Sequence, residues 1–330
     1  PRSIQDMADS KRWNLSNYNF LNITGSFKKI YEGMMNNRIS LRSMETQVDK
    51  YISNNKLSEL IEDNNKAFVF IVSSYNNKEW YKWNLDSMFK QKYGFYRIIY
   101  VDDASTDGTY DLVTSYIKSN GYDNKCTVIR KDTNTKPAHS RYIAYNMCDP
   151  NEICCMVDGD DALFDDDMLL YKINNEYKKH NLLVGYGQFI YMENNNKLGL
   201  LDGTREYTKD EIKHSSYRDK WVTQHLRTCE ARLLQTIPEN YLKYKGEWLK
   251  CCTDLAEMWW VLEKSGGRHK NMNFPCYYYN KMASLNVGYS YYNHTNSDHQ
   301  KYRTEVTNYL SKYKTVVDLL SSIDINEYLP

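Results

Sequence analysis

From residue 67 onward the chain alternates between short apolar runs and longer stretches whose apolar residues recur every three or four positions. The first run, Phe68 to Val72 in "AFVFIVSSYNN", is β-branched and aromatic and stops at polar residues, the pattern of a strand buried on both faces. In "EWYKWNLDSMFKQKYGF", Trp80, Trp83, Leu85, Met88 and Phe89 fall at helical spacing, with Gly94 in the position of a C-cap. The strand "RIIYV" follows, then a helix over 109–119, a short strand at "CTVIR", a helix over 138–147 and the strand "EICCMV". Such alternation predicts an α/β fold with an open, mostly parallel sheet flanked by helices, whose ligands bind beyond the carboxyl ends of the strands. Residues 1–65 are polar except for an amphipathic run from Leu41 to Ile61 and read as an N-terminal helical extension. The α/β domain is expected over 66–285, with a C-terminal loop and helix over 286–330.

Composition narrows the classes of function. A chain of 330 residues with 41% hydrophobic residues can bury a sizeable core, as one large domain with extensions or two ordinary ones. Its net charge of +1, with both signs mixed, argues against a broad surface for nucleic acid or acidic membrane. No apolar run approaches the roughly 18 residues of a membrane span. The eight cysteines contain two adjacent pairs, Cys154-Cys155 and Cys251-Cys252, and no CxxC, so zinc-ribbon and thioredoxin-like readings have no support. A soluble protein of the cytoplasm or another reducing compartment is expected. Pro1 stands first without a methionine, as expected where a preceding segment has been removed. The sequons at Asn14, Asn22 and Asn293 are expected by chance in so asparagine-rich a chain.

Two strands run directly into carboxylates. "IIYVDDASTDGTY" places Asp102 and Asp103 at one strand end, and "MVDGDDALFDDD" places Asp158, Asp160 and Asp161 at another. Adjacent like charges destabilise a fold unless a cation or a hydrogen-bonding ligand uses them. Asp103, Ser105, Asp107 and Gly108 imitate the start of a calcium loop, but the twelfth position, where that loop needs a bidentate Glu, is Thr114. If instead both strand ends meet at one crevice, a hard divalent cation with phosphate oxygens fits the residue types, and a nucleoside diphosphate is the expected ligand.

At these residues the sequence resembles the GT-A glycosyltransferases, most closely those of family 2. "IVSSYNN" is similar to the first strand and its Tyr-Asn turn, "VDDASTDGT" to the nucleotide-binding strand end, and "MVDGDD" to the DXD metal motif. "HLRTCEARLL", "GEWLKCCTDLAEMWWVLE" and "FPCYYYN" follow in order, so the resemblance covers residues 67 to about 285. It implies a GT-A fold and metal-dependent, inverting transfer of a hexose-type sugar from a nucleotide sugar, UDP-linked, to a glycan or other hydroxyl-bearing acceptor. Mn²⁺ or Mg²⁺ is the implied cofactor. Ser74, Tyr75, Asn76, Asp102, Asp103, Arg141, Asp158, His225 and Arg227 are the implied nucleotide-sugar contacts. Asp160 is the implied metal ligand, joined by His299 or alternatively His294, and Asp254 the implied general base.

The sequence also departs from the family pattern. Ser73-Ser74 stand where a Pro is usual, Ala104 replaces a Gly, and the usual Glu-Asp dipeptide reads Thr253-Asp254. The alternative for Asp254 is a helix N-cap. Trp248 is a candidate platform for the acceptor sugar, whereas Trp259 and Trp260 share a helical stripe with Met258, Val261 and Leu262 and read as core. Lys281 and Arg268 read as surface charges. Two rival functions remain: a sugar nucleotidyltransferase, which wants a glycine-rich loop that "SSYNNKEW" lacks, and a noncatalytic sugar-nucleotide-binding module.

Overall fold

The computed structural model describes residues 65–193, 196–200, 204–283 and 297–313. The expected N-terminal helical extension and His294 lie outside these residues. The strands are β1 (Phe68–Ser74), β2 (Tyr96–Asp102), β3 (Cys126–Arg130), β4 (Ile153–Asp158), β5 (Ala162–Leu163), β6 (Val184–Glu193), β7 (Asn196–Leu200), β8 (Gln224–Glu230), β9 (Lys243–Tyr244), β10 (Glu247–Trp248) and β11 (His269–Asn280). The helices are α1 (Tyr81–Phe89), α2 (Thr109–Ser119), α3 (Lys136–Asn146), α4 (Leu169–His180), α5 (Lys209–Lys213), α6 (Ala231–Leu234), α7 (Thr253–Lys264) and α8 (Ser297–Lys312).

The main sheet runs in the order β3-β2-β1-β4-β8-β6-β11-β5, with β7 hairpinned onto β6. Along β1, alternate side chains serve two cores. Val69 and Ile71 face a layer that includes Ala144, Tyr145, Trp259, Trp260 and Leu310. Phe68, Phe70 and Val72 face one built from Leu85, Met88, Val113, Ile117, Leu169 and Ile173. The period of two thus explains helices on both faces and the unbroken apolar run in the sequence. Trp259 and Trp260 are buried, as their helical spacing suggests.

Only the first half of the sheet is parallel throughout. β3, β2, β1 and β4 pair in parallel, but β8 runs antiparallel to both β4 and β6. This reversal matters for the site. Met156 pairs with Arg227, so the beginning of β8, rather than its end, lies beside the carboxyl end of β4. On the far side β11 runs parallel to β6 and antiparallel to β5, which brings the close of β11 next to the turn that follows β4.

The first helix ends before the glycine expected to cap it. α1 stops at Phe89 with Lys90 as its C-cap, and Gly94 has no capping role. The following residues are held elsewhere: the Lys92 amide donates to the Asp167 carbonyl, and the Gln91 side chain bonds Leu170 N and the Asp166 carbonyl.

Two backbone details shape the acidic edge. Gly159 separates the carboxylates after β4, and a Cβ there would stand 2.6 Å from Ser74 Cβ and from Asn77 Nδ2, so only glycine lets the β1 turn approach this closely. Ala104, in the turn after β2, has φ of +61°, a left-handed conformation that a side chain disfavours. Ala104→Gly is therefore expected to raise stability by about 1 kcal/mol, the left-handed penalty less the extra unfolded-state freedom of glycine. Urea denaturation measures it, and a lowered midpoint would show that the Ala104 methyl contributes more than its conformation costs.

Candidate active site

The two acidic strand ends do meet, through the turns that continue β1 and β2. Ser74 carbonyl accepts from the Asp103 amide at 2.8 Å. The Asn76 amide donates to Ser105 Oγ, and the Thr106 amide to Asn76 Oδ1. Ser73 carbonyl accepts from the Gly159 amide. Ser74 is buried, and its hydroxyl is engaged by Tyr100 Oη at 2.8 Å and Asn77 Nδ2 at 3.0 Å. Tyr75 and Asn76 are half-buried on the same turn.

Asp102 and Asp103 turn out to have different tasks. Asp103 is saturated: Oδ1 takes the Thr135 amide and the buried Lys131 ammonium at 2.6 Å, and Oδ2 takes the Lys136 amide. It therefore fixes the loop that enters α3. Asp102 is fully buried; Oδ2 accepts from the Ser105 amide, while Oδ1 has no partner. Burial, only partly offset by the Ser105 hydrogen bonds, raises its carboxyl above the usual range. Of the pair, Asp102 is the one with an acceptor to spare.

After β4, polar groups brace the second cluster from behind. Asn84 of α1 donates to the carbonyls of Asp158 and Asp161 at 2.9 and 2.8 Å. Asn280, closing β11, donates its amide to Asp161 Oδ1 at 2.7 Å and its side chain to the Asp160 carbonyl. The Tyr277 hydroxyl accepts from the Asp158 amide and also bonds the Asp161 carboxylate. Asp160 differs from its neighbours: among the described residues no other side chain bonds its half-buried carboxylate. Burial, followed by the Asp158 charge, pushes it up to about 7.

Two arginines carry the opposing charge. Arg141 of α3, 4% exposed, bonds Asp158 Oδ1 at 2.5 Å through one nitrogen and Glu257 Oε2 at 3.0 Å through another. Arg227 of β8 bonds Asp254 Oδ2 at 2.9 Å, and its Nη2 lies 2.9 Å from His225 Nε2. Asp254 occupies the first turn of α7, and the N-cap is Cys252, so Asp254 is not the cap. Burial works against its charge, but the Arg227 and Arg141 guanidiniums outweigh that and hold it below the usual carboxylate range. His225 stacks on Tyr277, and burial together with Arg227 takes its imidazole well below the ordinary value.

Asp158, Asp161 and His225 offer ligand atoms within 4.8 Å of one another, an arrangement that could hold a metal ion. All three are engaged already, Asp158 by Arg141, Asp161 by Asn280 and Tyr277, and His225 by the Arg227 guanidinium. Asp160, outside that group, has the freer carboxylate. The acid-rich oxygen set suits a hard divalent cation, and burial first, then the neighbouring carboxylates, raises the Asp160 and Asp161 carboxyls above the usual range.

The remaining expected residues are dispersed. Trp248 stacks on His139 at 4.4 Å, which occupies one ring face. His299 belongs to α8. The Lys281 ammonium lies over Tyr191, and Arg268 is exposed just before β11, at the opposite end from Asn280. Glu257, Asn84 and Lys131 were not anticipated. Glu257 left a trace, as the one acid inside "LAEMWWVL", three residues after Asp254 and so on the same helix face.

Residues 69–233, half of the chain, match the family model described as Glycosyl transferase family 2. No curated protein matches the sequence. Among solved structures the chain is similar to S. aureus TarS 1-349 in complex with UDP-GlcNAc, with 23% identity and a TM-score of 0.51 over 65% of this chain. The match spans 58% of that structure's chain. TarS 1-349 in complex with UDP gives 17% identity and a TM-score of 0.49 over 79% of this chain and 77% of that one. The mannosyltransferase PcManGT from Pyrobaculum calidifontis, in complex with GDP-Man and Mn²⁺, gives 17% and 0.45 over 69% and 60%. The first likeness supports the fold; the other two are too remote to add to it.

The unequal partners of Asp102 and Asp103 generate a test. Asp103→Ala should cost about 3–5 kcal/mol, because it strands the buried Lys131 charge. Asp102→Asn should change stability by less than about 1 kcal/mol. Urea denaturation of both variants would overturn the assignment if Asp102 proved the more costly of the two.

Proposed function

The chain belongs to glycosyl transferase family 2, and from that membership we propose that it moves a sugar from a nucleotide sugar to an acceptor hydroxyl with inversion. The donor class we assign is UDP-hexose and the acceptor a glycan or other hydroxyl compound. The observation that carries the reading is one strand edge holding a buried Asp102 oxygen without a partner, a cluster of carboxylates around Asp160, and an ionised Asp254. The UDP-GlcNAc of the TarS structure is consistent with the donor class.

Each residue then has a role fitted to its chemistry. Asp102, with Tyr75 and Asn76 beside it, faces the nucleoside. Asp160 would hold Mn²⁺ or Mg²⁺, with Asp158 beside it and His299 the candidate additional ligand. Bound there, the cation would neutralise charge on the departing diphosphate. Arg141 and Arg227 bring positive charge to the same edge and orient Asp158 and Asp254. Asp254 takes the proton from the acceptor hydroxyl on the face opposite the leaving group, which gives a single displacement and inverted configuration. Its depressed protonation keeps it in the accepting form throughout the neutral range. Trp248 has a smaller part in this scheme than its sequence position suggests, since His139 covers one of its faces. A nucleotidyltransferase is disfavoured by the β1 turn, which has no glycine before Gly94.

Asp254→Asn should lower transfer by about 10² to 10⁴, the usual worth of a general base, while UDP still binds. Product anomers read by NMR should be inverted. Wild-type turnover in the variant, or a retained configuration, would overturn the mechanism. A chain that binds UDP-sugars but releases no UDP, with or without acceptor, would be the noncatalytic module instead.

Metal dependence has its own signature. EDTA should abolish transfer, Mn²⁺ should restore it, and Asp160→Ala should stay inactive with the metal present. The cation binds the ionised carboxylate, and Asp160 is protonated below about 7. Calorimetric Mn²⁺ affinity should therefore climb as pH rises through that value and level off above it. Full transfer in EDTA would remove the metal from the mechanism, and pH-independent affinity would remove Asp160 from its ligands.

A further inference from the structure

Immediately before the helix that carries Asp254 stand two adjacent cysteines, and the chain presents them in an unusual way. All eight cysteines are free thiols. Cys251 and Cys252 have their sulfurs 3.6 Å apart, within hydrogen-bonding distance, and Cys251 is only half-buried. Cys252 is the N-cap of α7 and has φ of +61°, a left-handed conformation. Its Sγ also lies 3.9 Å from Thr307 Oγ1 of α8. A second close pair, Cys148 and Cys154 at 3.7 Å, provides an internal comparison, because both of its members are buried in the core.

We propose that Cys251-Cys252 is a vicinal dithiol that a two-electron oxidant of the hydroperoxide class closes to a disulfide, displacing the start of α7. The contacts of Cys252 Sγ with the Cys251 thiol and the Thr307 hydroxyl favour the Cys252 thiolate over burial. That thiolate attacks a peroxide oxygen, breaking the O–O bond and forming Cys252 sulfenic acid as the other oxygen leaves as water. The Cys251 thiol then loses its proton and attacks the sulfenyl sulfur; the S–S bond forms and a second water leaves. Overall two thiols and one hydrogen peroxide give one disulfide and two waters. Reduction by a dithiol reverses it.

Geometry makes the closed form strained and the response reversible. Consecutive Cα atoms are about 3.8 Å apart across a trans peptide, below the usual disulfide span of about 4.4–6.8 Å, so the bridge forms only if the local backbone gives way. The residue that gives is Cys252, two positions before Asp254. Strained bridges are the readily reduced ones. The effect on transfer rests on the proposed function, since it acts by moving Asp254 away from Arg227; the dithiol chemistry itself does not.

The full-length protein is treated with hydrogen peroxide, its remaining thiols are blocked, and non-reducing tryptic peptides are weighed. The peptide 251–264 should lose two hydrogens before the peptide holding Cys148 and Cys154 does, dithiothreitol should restore them, and Cys251→Ser should leave this peptide without the loss. The closed protein should still bind UDP and lose transfer by about 10²-fold, as expected for a displaced catalytic group. An unchanged 251–264 peptide, earlier oxidation of Cys148-Cys154, or closure that leaves both α7 hydrogen exchange and transfer as they were would overturn the proposal. If closure loosens α7 while no UDP-sugar is ever turned over, the dithiol stands and the transferase reading fails.

Discussion

The acidic edge depends on one buried cation. Arg141 is 4% exposed and lies between Asp158, which ends β4, and Glu257, which sits inside α7. Taking a charge this deep into protein costs several kcal/mol, and only a good partner on each side offsets it. Both carboxylates are therefore held where the guanidinium is. Since Asp158 also sets the turn to Asp160 and Asp161, and Glu257 is one helical turn beyond Asp254, a single side chain ties the metal-type cluster to the base-type carboxylate across two layers of the fold. The pair is not itself a large source of stability; its value is the position it imposes on its neighbours.

Charge alone would not have put these groups together without the change of strand direction. Four parallel strands deliver Ser74, Asp102 and Asp158 to one edge, but a fifth parallel strand would have delivered the end of β8, Cys229 and Glu230, which instead pair with the start of β4. Running β8 backwards brings His225 and Arg227 to that edge. Gly159 works with this reversal on the other side, because the β1 turn can approach the cluster only where no Cβ intervenes.

Much of this was legible in the sequence, for identifiable reasons. Period-two burial and strand-end carboxylates are local patterns, so β1, β2, β3 and β4, α2 and the members of both acidic clusters could be read directly. The extent of α1 could not, since it is cut short by Asp166, Asp167 and Leu170, more than seventy residues away. The difference between Asp102 and Asp103 was hidden for a similar reason: two neighbouring aspartates look alike until the loop around Lys131 closes on one of them. Glu257 was visible as an acid in an apolar helix, but its meaning required Arg141, 116 residues away.

The same two arginines also set a balance at the proposed base. A carboxylate at a helix N-terminus beside a guanidinium is strongly favoured as the anion, and that stabilisation makes it a weaker proton acceptor. Asp254 is in this state, ionised but restrained. A donor diphosphate, itself an anion, would in that reaction compete for Arg227 and Arg141 and leave less of their attraction for Asp254. Under the proposed reaction, donor binding would raise the basicity of Asp254 at the moment an acceptor proton has to be taken, and departure of UDP would return it to the restrained form. The ion pair that lowers the basicity of Asp254 would then become the means by which the base responds to the donor.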